Sequence, residues 1–148
     1  MSQSEYVQYD LLKLMDSSNT VTIPNGYFNG NNIASFNISN NGVLKSIVIG
    51  DNCFGKVREF ELDGLSELES VVIGQESFRI IGSERSDGSY RIVNSPKLKS
   101  IQIGDESFYD YHSIELNNLT YLQYIDIGYR CFYYAPIFSL TGLIDELV

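Results

Sequence analysis

The chain repeats one pattern, and that repetition constrains its fold more than any other feature. The pattern is clearest over residues 98–108, which read Leu-Lys-Ser-Ile-Gln-Ile-Gly-Asp-Glu-Ser-Phe. Related copies occupy residues 44–54, 68–78 and 122–132, and a degenerate copy occupies residues 21–28. The closing phenylalanines are 26, 24, 30 and 24 residues apart. Because self-similarity at a fixed period of this size is typical of stacked repeats, the sequence predicts a solenoid.

Each repeat contains two strand patterns. In the first, Leu44, Ile47 and Ile49 are predicted to point inward and Val48 outward, because side chains alternate along a strand. The second strand follows the phenylalanine and has two apolar columns. These columns are Phe36, Phe60, Tyr90, Ile114 and Phe138, and Ile38, Leu62, Ile92, Leu116 and Leu140.

Glycine and asparagine mark two corners in each repeat. Glycine follows the first strand in four repeats, which predicts either a positive φ or a close approach of two backbones. The four are Gly50, Gly74, Gly104 and Gly128. A second column accepts only asparagine or glycine, which predicts a left-handed turn. Its members are Asn40, Gly64, Asn94, Asn118 and Gly142.

The first residues of the chain are predicted to cover the N-terminal end of the array. Val7, Leu11 and Leu14 recur at helical spacing, and the exposed end of a solenoid needs a cap. We therefore predict a helical cap over residues 1–17, followed by repeats over residues 18–148, in a single domain.

At the C-terminal end the sequence shows no comparable cap. Residues 142–148 lie where the first strand of a sixth repeat would begin. Three arrangements would cover the last coil: contact with a second copy, continuation of the array, or residues 142–148 folding back over it.

The third repeat is six residues longer than the base period of 24. The extra residues lie around Ser83 to Gly88, and an Asp-Gly pair suits the tip of a hairpin. We predict a protruding hairpin there. Insertions in repeat proteins often lie on the binding face, and an insertion without function is an equal alternative.

Composition and charge narrow the classes of partner. The chain has 148 residues, of which 43% are hydrophobic, so it can bury a core as one domain. Its formal net charge is -9, whereas nucleic acids and anionic membranes need a basic surface. A basic protein partner is compatible with this charge, and a simple solubilising role is the alternative.

The cysteines and the first residues bear on the compartment. Cys53 and Cys131 precede the repeat phenylalanine three coils apart, so at a strand spacing of about 4.8 Å they lie about 14 Å apart and cannot pair. Met1–Tyr6 lacks the basic start and apolar core of a secretory signal. We expect a cytoplasmic protein with free thiols, or a cell-surface protein if the chain is an excised domain.

The first-strand motif resembles the strand signature of leucine-rich repeats. Leu98, Ile101 and Ile103 fit that signature, and Gly104 with the Ser-Phe pair after it makes the chain similar to the BspA-like subtype. The chain lacks the asparagine that follows the strand in the commonest members, and it has a second strand where many have a helix. The resemblance implies an interaction scaffold, often at cell surfaces or in recognition systems, with no catalytic residue in the repeat.

The sequence offers little for catalysis or metal binding. His112 is the only histidine, and Asp110 and Ser113 are too close to it in sequence to form a triad. Carboxylates are predicted to stack on one corner, but without an Asp-rich calcium loop. They are Asp51, Glu76, Asp105 and Glu106. A second acidic patch is predicted on the outside of the second strands, at Glu59, Glu61, Asp63 and Glu115. We predict no enzyme activity, no catalytic residue, no cofactor and no metal site.

Tyrosine gives the most specific indication of a binding surface. Eight of the 11 tyrosines lie between residues 90 and 134. Tyr124 replaces an outward serine of the other repeats, and Tyr129 replaces an aspartate. Such amphipathic residues suit contacts with proteins or carbohydrates, and shielding of the C-terminal edge by self-association is an equal alternative.

We therefore predict a mainly β solenoid of about five coils, each of about 24 residues with two strands. We predict a non-catalytic scaffold for another protein or a second copy of itself, with no nucleic-acid partner and no membrane insertion. A carbohydrate-binding or adhesive surface module is the alternative, and an enzyme built on a β-solenoid is a more distant one. The predicted contact residues are Val48, Val72, Gln102, Asp126, Tyr124, Tyr129, Tyr133 and Tyr134.

Overall fold

Ten β-strands are the regular elements of the computed structural model, which describes residues 11–30, 32–80, 87–135 and 137–143. The strands are β1 (Thr20–Ile23), β2 (Ser35–Ser39), β3 (Ser46–Ile49), β4 (Glu59–Asp63), β5 (Ser70–Ile73), β6 (Gly88–Val93), β7 (Ser100–Ile103), β8 (Tyr111–Leu119), β9 (Tyr124–Ile127) and β10 (Ile137–Leu143). Within these ranges no helix has the length and apolar character needed to span a membrane.

The strands alternate between two parallel sheets, so each coil contributes one strand to each sheet. Sheet A has the spatial order β1-β3-β5-β7-β9, and sheet B has the order β2-β4-β6-β8-β10. Parallel neighbours need a long crossover, and here the strand of the other sheet lies within that crossover. The predicted β-solenoid of about five coils, with two strands per coil, is confirmed.

The register places equivalent repeat positions side by side. In sheet A, Ile47 pairs with Val71, and in sheet B, Phe36 pairs with Phe60, which pairs with Tyr90. Both apolar columns predicted for the second strands are confirmed by this register. A slip of one residue would turn every inward side chain outward, so the repeated apolar pattern fixes the pairing.

Two stacks of aromatic rings run through the core between the sheets. The rings of Phe54, Phe78 and Phe108 are buried and stack at centroid distances of 4.9 and 4.6 Å. In the second stack, the Phe60 ring lies 4.8 Å from that of Tyr90, and Phe60 meets Phe78 edge to face at 5.2 Å. Aromatic pairs contribute about 0.5–1.5 kcal/mol each beyond the area they bury, so both stacks hold successive coils together.

Left-handed backbone occurs at both corners of the coil. The predicted asparagine-or-glycine column is confirmed, because all five members have φ between 52° and 70°. The five repeat phenylalanines also have positive φ, from 53° at Phe132 to 64° at Phe28. This conformation costs a bulky residue about 1–3 kcal/mol. Burial of a phenylalanine ring contributes about 1.5–3 kcal/mol and offsets that cost.

The glycines after the first strands allow two coils to approach closely. None of the four predicted corner glycines has a positive φ, so that alternative is wrong. A Cβ atom on Gly104 would lie 2.6 Å from the carbonyl carbon of Gly74, which confirms the close approach. A side chain at this corner would therefore push neighbouring coils apart.

A column of small polar side chains lines the same corner from inside. The Ser107 hydroxyl donates to the Gly74 carbonyl at 2.6 Å and accepts the Ser77 N–H at 3.0 Å. It thereby satisfies two backbone groups of the preceding coil. Cys53 and Cys131 occupy the same column, and both are free thiols as predicted.

The helical cap predicted for residues 1–17 is not supported. Residues 1–10 lie outside the described residues, and among the residues that follow only Leu11 and Leu12 have helical backbone. Met15 then forms an antiparallel bridge with Val21 of β1. The edge of β1 therefore pairs with Met15, a residue for which the apolar spacing predicted a helix. Leu11 is nevertheless buried in the core.

The hairpin predicted in the third coil, around residues 83–88, lies largely outside the described residues. Asp87 is the first described residue after this gap, and β6 begins at Gly88. The pairing of β6 with β8 shifts by one residue between Gly88 and Ser89, which leaves His112 as the extra residue of a β-bulge.

Candidate interaction surface

The outer face of sheet A presents one row of side chains across all five strands. Val48, Val72, Gln102 and Asp126 lie side by side in register, in line with Thr22 of β1. Gln102 and Asp126 are exposed, and the two valines are half-buried. The structure therefore brings the four predicted strand-face residues together on one surface.

A second row on this face begins with serines and ends with a tyrosine. The hydroxyl oxygens of Ser46 and Ser70 lie 2.7 Å apart and share a hydrogen bond, and Ser100 lies next in register. Tyr124 takes the same position in β9, is exposed, and donates its hydroxyl to Asp126 Oδ2 at 3.3 Å. Tyr124 thus extends the strand face to the last coil.

The other three predicted tyrosines lie in the corner between β9 and β10. With three further residues they form a tyrosine–arginine cluster, composed of Arg79, Tyr109, Tyr129, Arg130, Tyr133 and Tyr134. Tyr109 and Tyr133 follow the repeat phenylalanine in neighbouring coils, so their rings stack in parallel, 5.3 Å apart and at 1°. Tyr134 meets them edge-on, at centroid distances of 5.6 and 5.0 Å.

Two arginines complete the cluster through cation–π contacts. The Arg79 guanidinium lies 4.7 Å from the Tyr109 ring centroid and pairs with Glu76 and Glu106 at 3.4 and 3.2 Å. The Arg130 guanidinium lies 5.0 Å from the Tyr129 ring centroid and 5.8 Å from that of Tyr133. Such contacts contribute about 0.5–1 kcal/mol at exposed sites, enough to orient side chains that solvent would otherwise disorder.

Within the cluster, the surroundings of Tyr109 raise the pKa of its hydroxyl. Desolvation raises the pKa of the Tyr109 hydroxyl, and a hydrogen bond with Tyr134 acts in the same direction. Desolvation also raises the pKa of the neighbouring Asp110 carboxyl, against the opposing effect of Arg79. The two arginines supply the positive charge of the cluster.

Arg79, Tyr109 and Arg130 belong to this surface but were not among the predicted contact residues. The residue directly after each repeat phenylalanine is the signal that identifies two of them. Read along successive coils, that position holds Arg79, Tyr109 and Tyr133, which the stacking of coils places in one line. Arg130 carries no comparable signal in the sequence.

The stacked carboxylates of the corner have structural partners. Asp51 Oδ1 accepts the backbone N–H of Gln75 at 2.9 Å, and Asp105 Oδ1 accepts that of Tyr129 at 2.8 Å. Both glutamates of the predicted ladder bind Arg79. A shallow cleft of about 340 Å³ is lined by Gln75, Glu76, Asp105, Glu106 and Tyr129. In the part of the chain that the structure describes, no three side chains of the metal-binding types are grouped to hold an ion.

The second acidic patch lies on the outer face of sheet B, where one arginine partly neutralises it. Arg91 Nε binds Glu115 at 2.8 Å, and its Nη1 lies 3.3 Å from Glu61 and 3.7 Å from Asp63. The hydrogen bond to Glu115 is the main cause of the raised pKa of Arg91. The patch is therefore less negative than the four carboxylates alone suggest.

The last coil exposes residues that face the core in every other coil. Ile127 is 37% exposed, whereas its neighbour Ile103 is 4% exposed. Leu140 is 38% exposed, whereas its neighbour Leu116 is 2% exposed. β9 and β10 are the outermost strands of their sheets. This end thus combines apolar side chains with two open strand edges in the described residues.

No model of a known protein family matches the chain, and comparisons with curated proteins and with solved structures gave no match. The class to which the fold assigns the chain is that of β-solenoids, with about five coils and two parallel sheets. Its candidate surface is one strand face that continues into a cluster of exposed tyrosines and arginines.

Proposed function

We propose that this chain is a non-catalytic protein-interaction scaffold, which binds its partner through the outer face of sheet A and the tyrosine–arginine cluster. The observation that carries the proposal is a group of five tyrosines in the last coil, each 44–65% exposed. They are Tyr121, Tyr124, Tyr129, Tyr133 and Tyr134. Single exposed apolar residues need no explanation, whereas Tyr129, Tyr133 and Tyr134 lie together around Arg130, and such a group is typical of an interaction site. Tyrosine and arginine are also enriched at the energetically important positions of interfaces.

Membership of the leucine-rich-repeat superfamily, in its BspA-like subtype, is part of the proposal. Its support is the Leu-x-x-Ile-x-Ile motif, which supplies one strand of sheet A per coil with inward Leu98, Ile101 and Ile103. The proposed compartment is the cytoplasm, supported by the two unpaired thiols, and the cell surface is the alternative.

Carbohydrate binding is the second candidate function, and one observation favours it. Arg79 connects the stacked rings of Tyr109 and Tyr133 to two carboxylates of the cleft, and these groups suit the apolar faces and the hydroxyls of sugars. An adhesive module would use the same surface. The two candidate functions differ in the ligand that this surface would bind, a peptide or a glycan.

A displayed library of random peptides and a glycan array, both offered to the immobilised full chain, test these functions. We expect enriched peptides whose affinity falls by about tenfold or more with Val48→Lys or Tyr133→Ser, the effect of losing about 1.4 kcal/mol. Arg91→Met, on the opposite sheet, is the matched control and should leave the affinity unchanged. Circular dichroism confirms that each variant is folded. Glycan binding without peptide enrichment would replace the scaffold proposal with the carbohydrate one.

A further inference from the structure

We infer that the C-terminal end of the solenoid binds a second copy of this chain, with β9 and β10 each pairing antiparallel with the same strand of the other copy. This inference rests on the proposed role of the C-terminal region as an interaction surface, and it names the partner of that region. The contact is made by the strand edges, so the outer face of sheet A stays open to other proteins.

The first argument is the loss of cover in the last coil. Ile127 and Leu140 face the core side of their sheets, yet each is more than one-third exposed. Their equivalents in the preceding coil are almost fully buried by the strand that follows them. A further pair of strands would give the last layer the same cover.

The second argument is the direction of the free backbone groups in β9. The N–H groups of Tyr124 and Gly128 donate to carbonyls of the preceding coil. Because backbone groups alternate in direction along a strand, the N–H and C=O groups of Ile125 and Ile127 point toward the open edge. These groups are available to another strand.

The same holds for β10. At the corner after each second strand, the N–H groups of Asn40 and Asn94 donate to the following coil. Leu140 lies two residues before Gly142, the equivalent of those asparagines, so its backbone groups also point toward the open edge. In both sheets the exposed apolar residue and the free hydrogen-bonding groups therefore occur at the same position.

The third argument is that the edge of β9 is complementary to itself. An antiparallel pair centred on Ile125 sets Ile125 against its own copy and Tyr124 against Asp126 of the second copy. The tyrosine hydroxyl then has a carboxylate acceptor across the pair, as it already has within its own strand. A pair centred on Asp126 would instead oppose two carboxylates, which is unfavourable. The charge pattern thus selects one register.

The edge of β10 allows a two-fold pairing of the same kind. Leu140 is the midpoint of Ile137–Leu143, and Ser139 and Thr141 flank it. A pair centred on Leu140 sets the two leucines together on the core side and each serine against a threonine on the outside. A single two-fold axis perpendicular to both sheets relates both pairs, which requires Ile125 and Leu140 to face each other across the coil.

A second copy fits this end better than continuation from end to end. The N-terminal edge of sheet A is partly occupied by the bridge between Met15 and Val21. A head-to-tail contact would also leave one open end at every step, whereas a two-fold contact covers both open ends at once. The pairing therefore closes at two copies.

Light scattering on the full chain tests the inference through mass. The wild type should approach twice the chain mass of 16.7 kDa as concentration rises. Ile125→Lys should stay at the single-chain mass, because it brings two ammonium groups together at the axis. Val48→Lys adds the same charge in the middle of sheet A and should remain a dimer. Circular dichroism of both variants should match the wild type.

A cross-link tests the register and covers the case in which Ile125→Lys fails to fold. Ile125→Cys, combined with Cys131→Ser, should form a disulfide-linked dimer on mild oxidation, since the paired positions lie at the axis. Thr22→Cys in the same background is the matched control at the opposite edge and should not. A wild type that remains at the single-chain mass, or an Ile125→Cys variant that gives no cross-link, would overturn the inference. Cover of the end by residues 144–148 would produce both results. Peptide binding to the strand face would stand or fall separately, through Val48→Lys.

Discussion

Two buried tyrosines differ in whether their hydroxyl groups have a partner. The Tyr111 hydroxyl donates to the Val57 carbonyl at 2.6 Å. Tyr90 stands in the phenylalanine column of sheet B, and its hydroxyl has no partner among the described residues. Burial raises the pKa of both hydroxyls above the ordinary value of 10.0. The same substitution at the two positions is therefore expected to have different effects.

We expect Tyr111→Phe to lower the free energy of unfolding by about 1–3 kcal/mol, because it removes the hydrogen bond to a buried carbonyl. Tyr90→Phe should be neutral or stabilising, since it removes a buried hydroxyl without a partner and keeps the ring stack. Urea unfolding at neutral pH measures both. Equal destabilisation by the two substitutions would mean that the Tyr90 hydroxyl is as well bonded as that of Tyr111.

Alkaline pH provides a control on the same variants. Both hydroxyls titrate at higher pH in the folded chain than in the unfolded chain, so above about pH 10 the folded state binds more protons. The free energy of unfolding should therefore fall as pH rises past 10, and Tyr90→Phe combined with Tyr111→Phe should reduce that slope. A slope unchanged in the double variant would point to other groups.

At the scale of the coil, the corners after β3, β5, β7 and β9 hold a glycine, because there is no room for a side chain. A Cβ atom on Gly74 would lie 2.7 Å from the carbonyl carbon and 2.8 Å from the carbonyl oxygen of Gly50. Both contacts are with backbone, which cannot move aside as a flexible side chain can. The adjacent Gln75 side chain is exposed.

Gly74→Val should therefore destabilise the fold by about 1–3 kcal/mol or more, the cost of overpacking a well-packed site. Gln75→Ala, one residue away, should change stability by less than about 0.5 kcal/mol, as is usual for an exposed position. Thermal unfolding of the two variants under one condition gives the comparison. Equal melting temperatures would contradict the close approach of the two coils.

The sequence predicted those parts of the fold that repeat. Columns such as Phe36, Phe60 and Tyr90 were predicted correctly, because five copies average out local ambiguity and stacking imposes one register. The N-terminal segment occurs once, so apolar spacing alone suggested a helix where Met15 pairs with a strand edge. The left-handed φ of the phenylalanines was not predictable from propensity, which disfavours it for bulky residues.

In the candidate surface, too, the parts that repeat were predicted, and some of the parts that occur once were missed. Val48 and Gln102 were predicted on the outer face by alternation alone, and the structure places them there. The cluster was only partly predicted, because Arg79 and Tyr109 join it through contacts between coils rather than through composition. Reading single columns along the coils recovers such contacts, whereas counting tyrosines does not.

At the scale of the molecule, each of the ten described strands pairs with the equivalent strands of neighbouring coils, so stability is distributed along one dimension. Burial of the core-facing residues is nearly complete in the middle coils and incomplete in the last. Cys53 is fully buried near one end of this gradient, and Cys131 is half-buried at the other. The reactivity of the two thiols therefore measures local unfolding at two different places along the solenoid.

We expect Cys131 to react with a thiol reagent before Cys53 in the folded chain. Burial raises the pKa of the Cys131 thiol above its ordinary value of 9.0, so its rate should keep rising with pH beyond that value. The Ile125→Lys background avoids protection by a second copy, and Cys131→Ser assigns the fast phase. Denatured, unreduced chain should titrate two thiols. Faster reaction of Cys53 would mean that opening begins away from the last coil.

The shared register of all coils has a consequence for how such a chain can change over generations. Residues 50–73 form one period of 24 residues, and the coil presents matching edges to the coil before it and the coil after it. An in-frame tandem duplication of that stretch of the gene would therefore insert a coil whose two seams already fit. Unequal recombination would then lengthen or shorten the array in whole coils, and the outer face of sheet A would grow or shrink by one strand at a time.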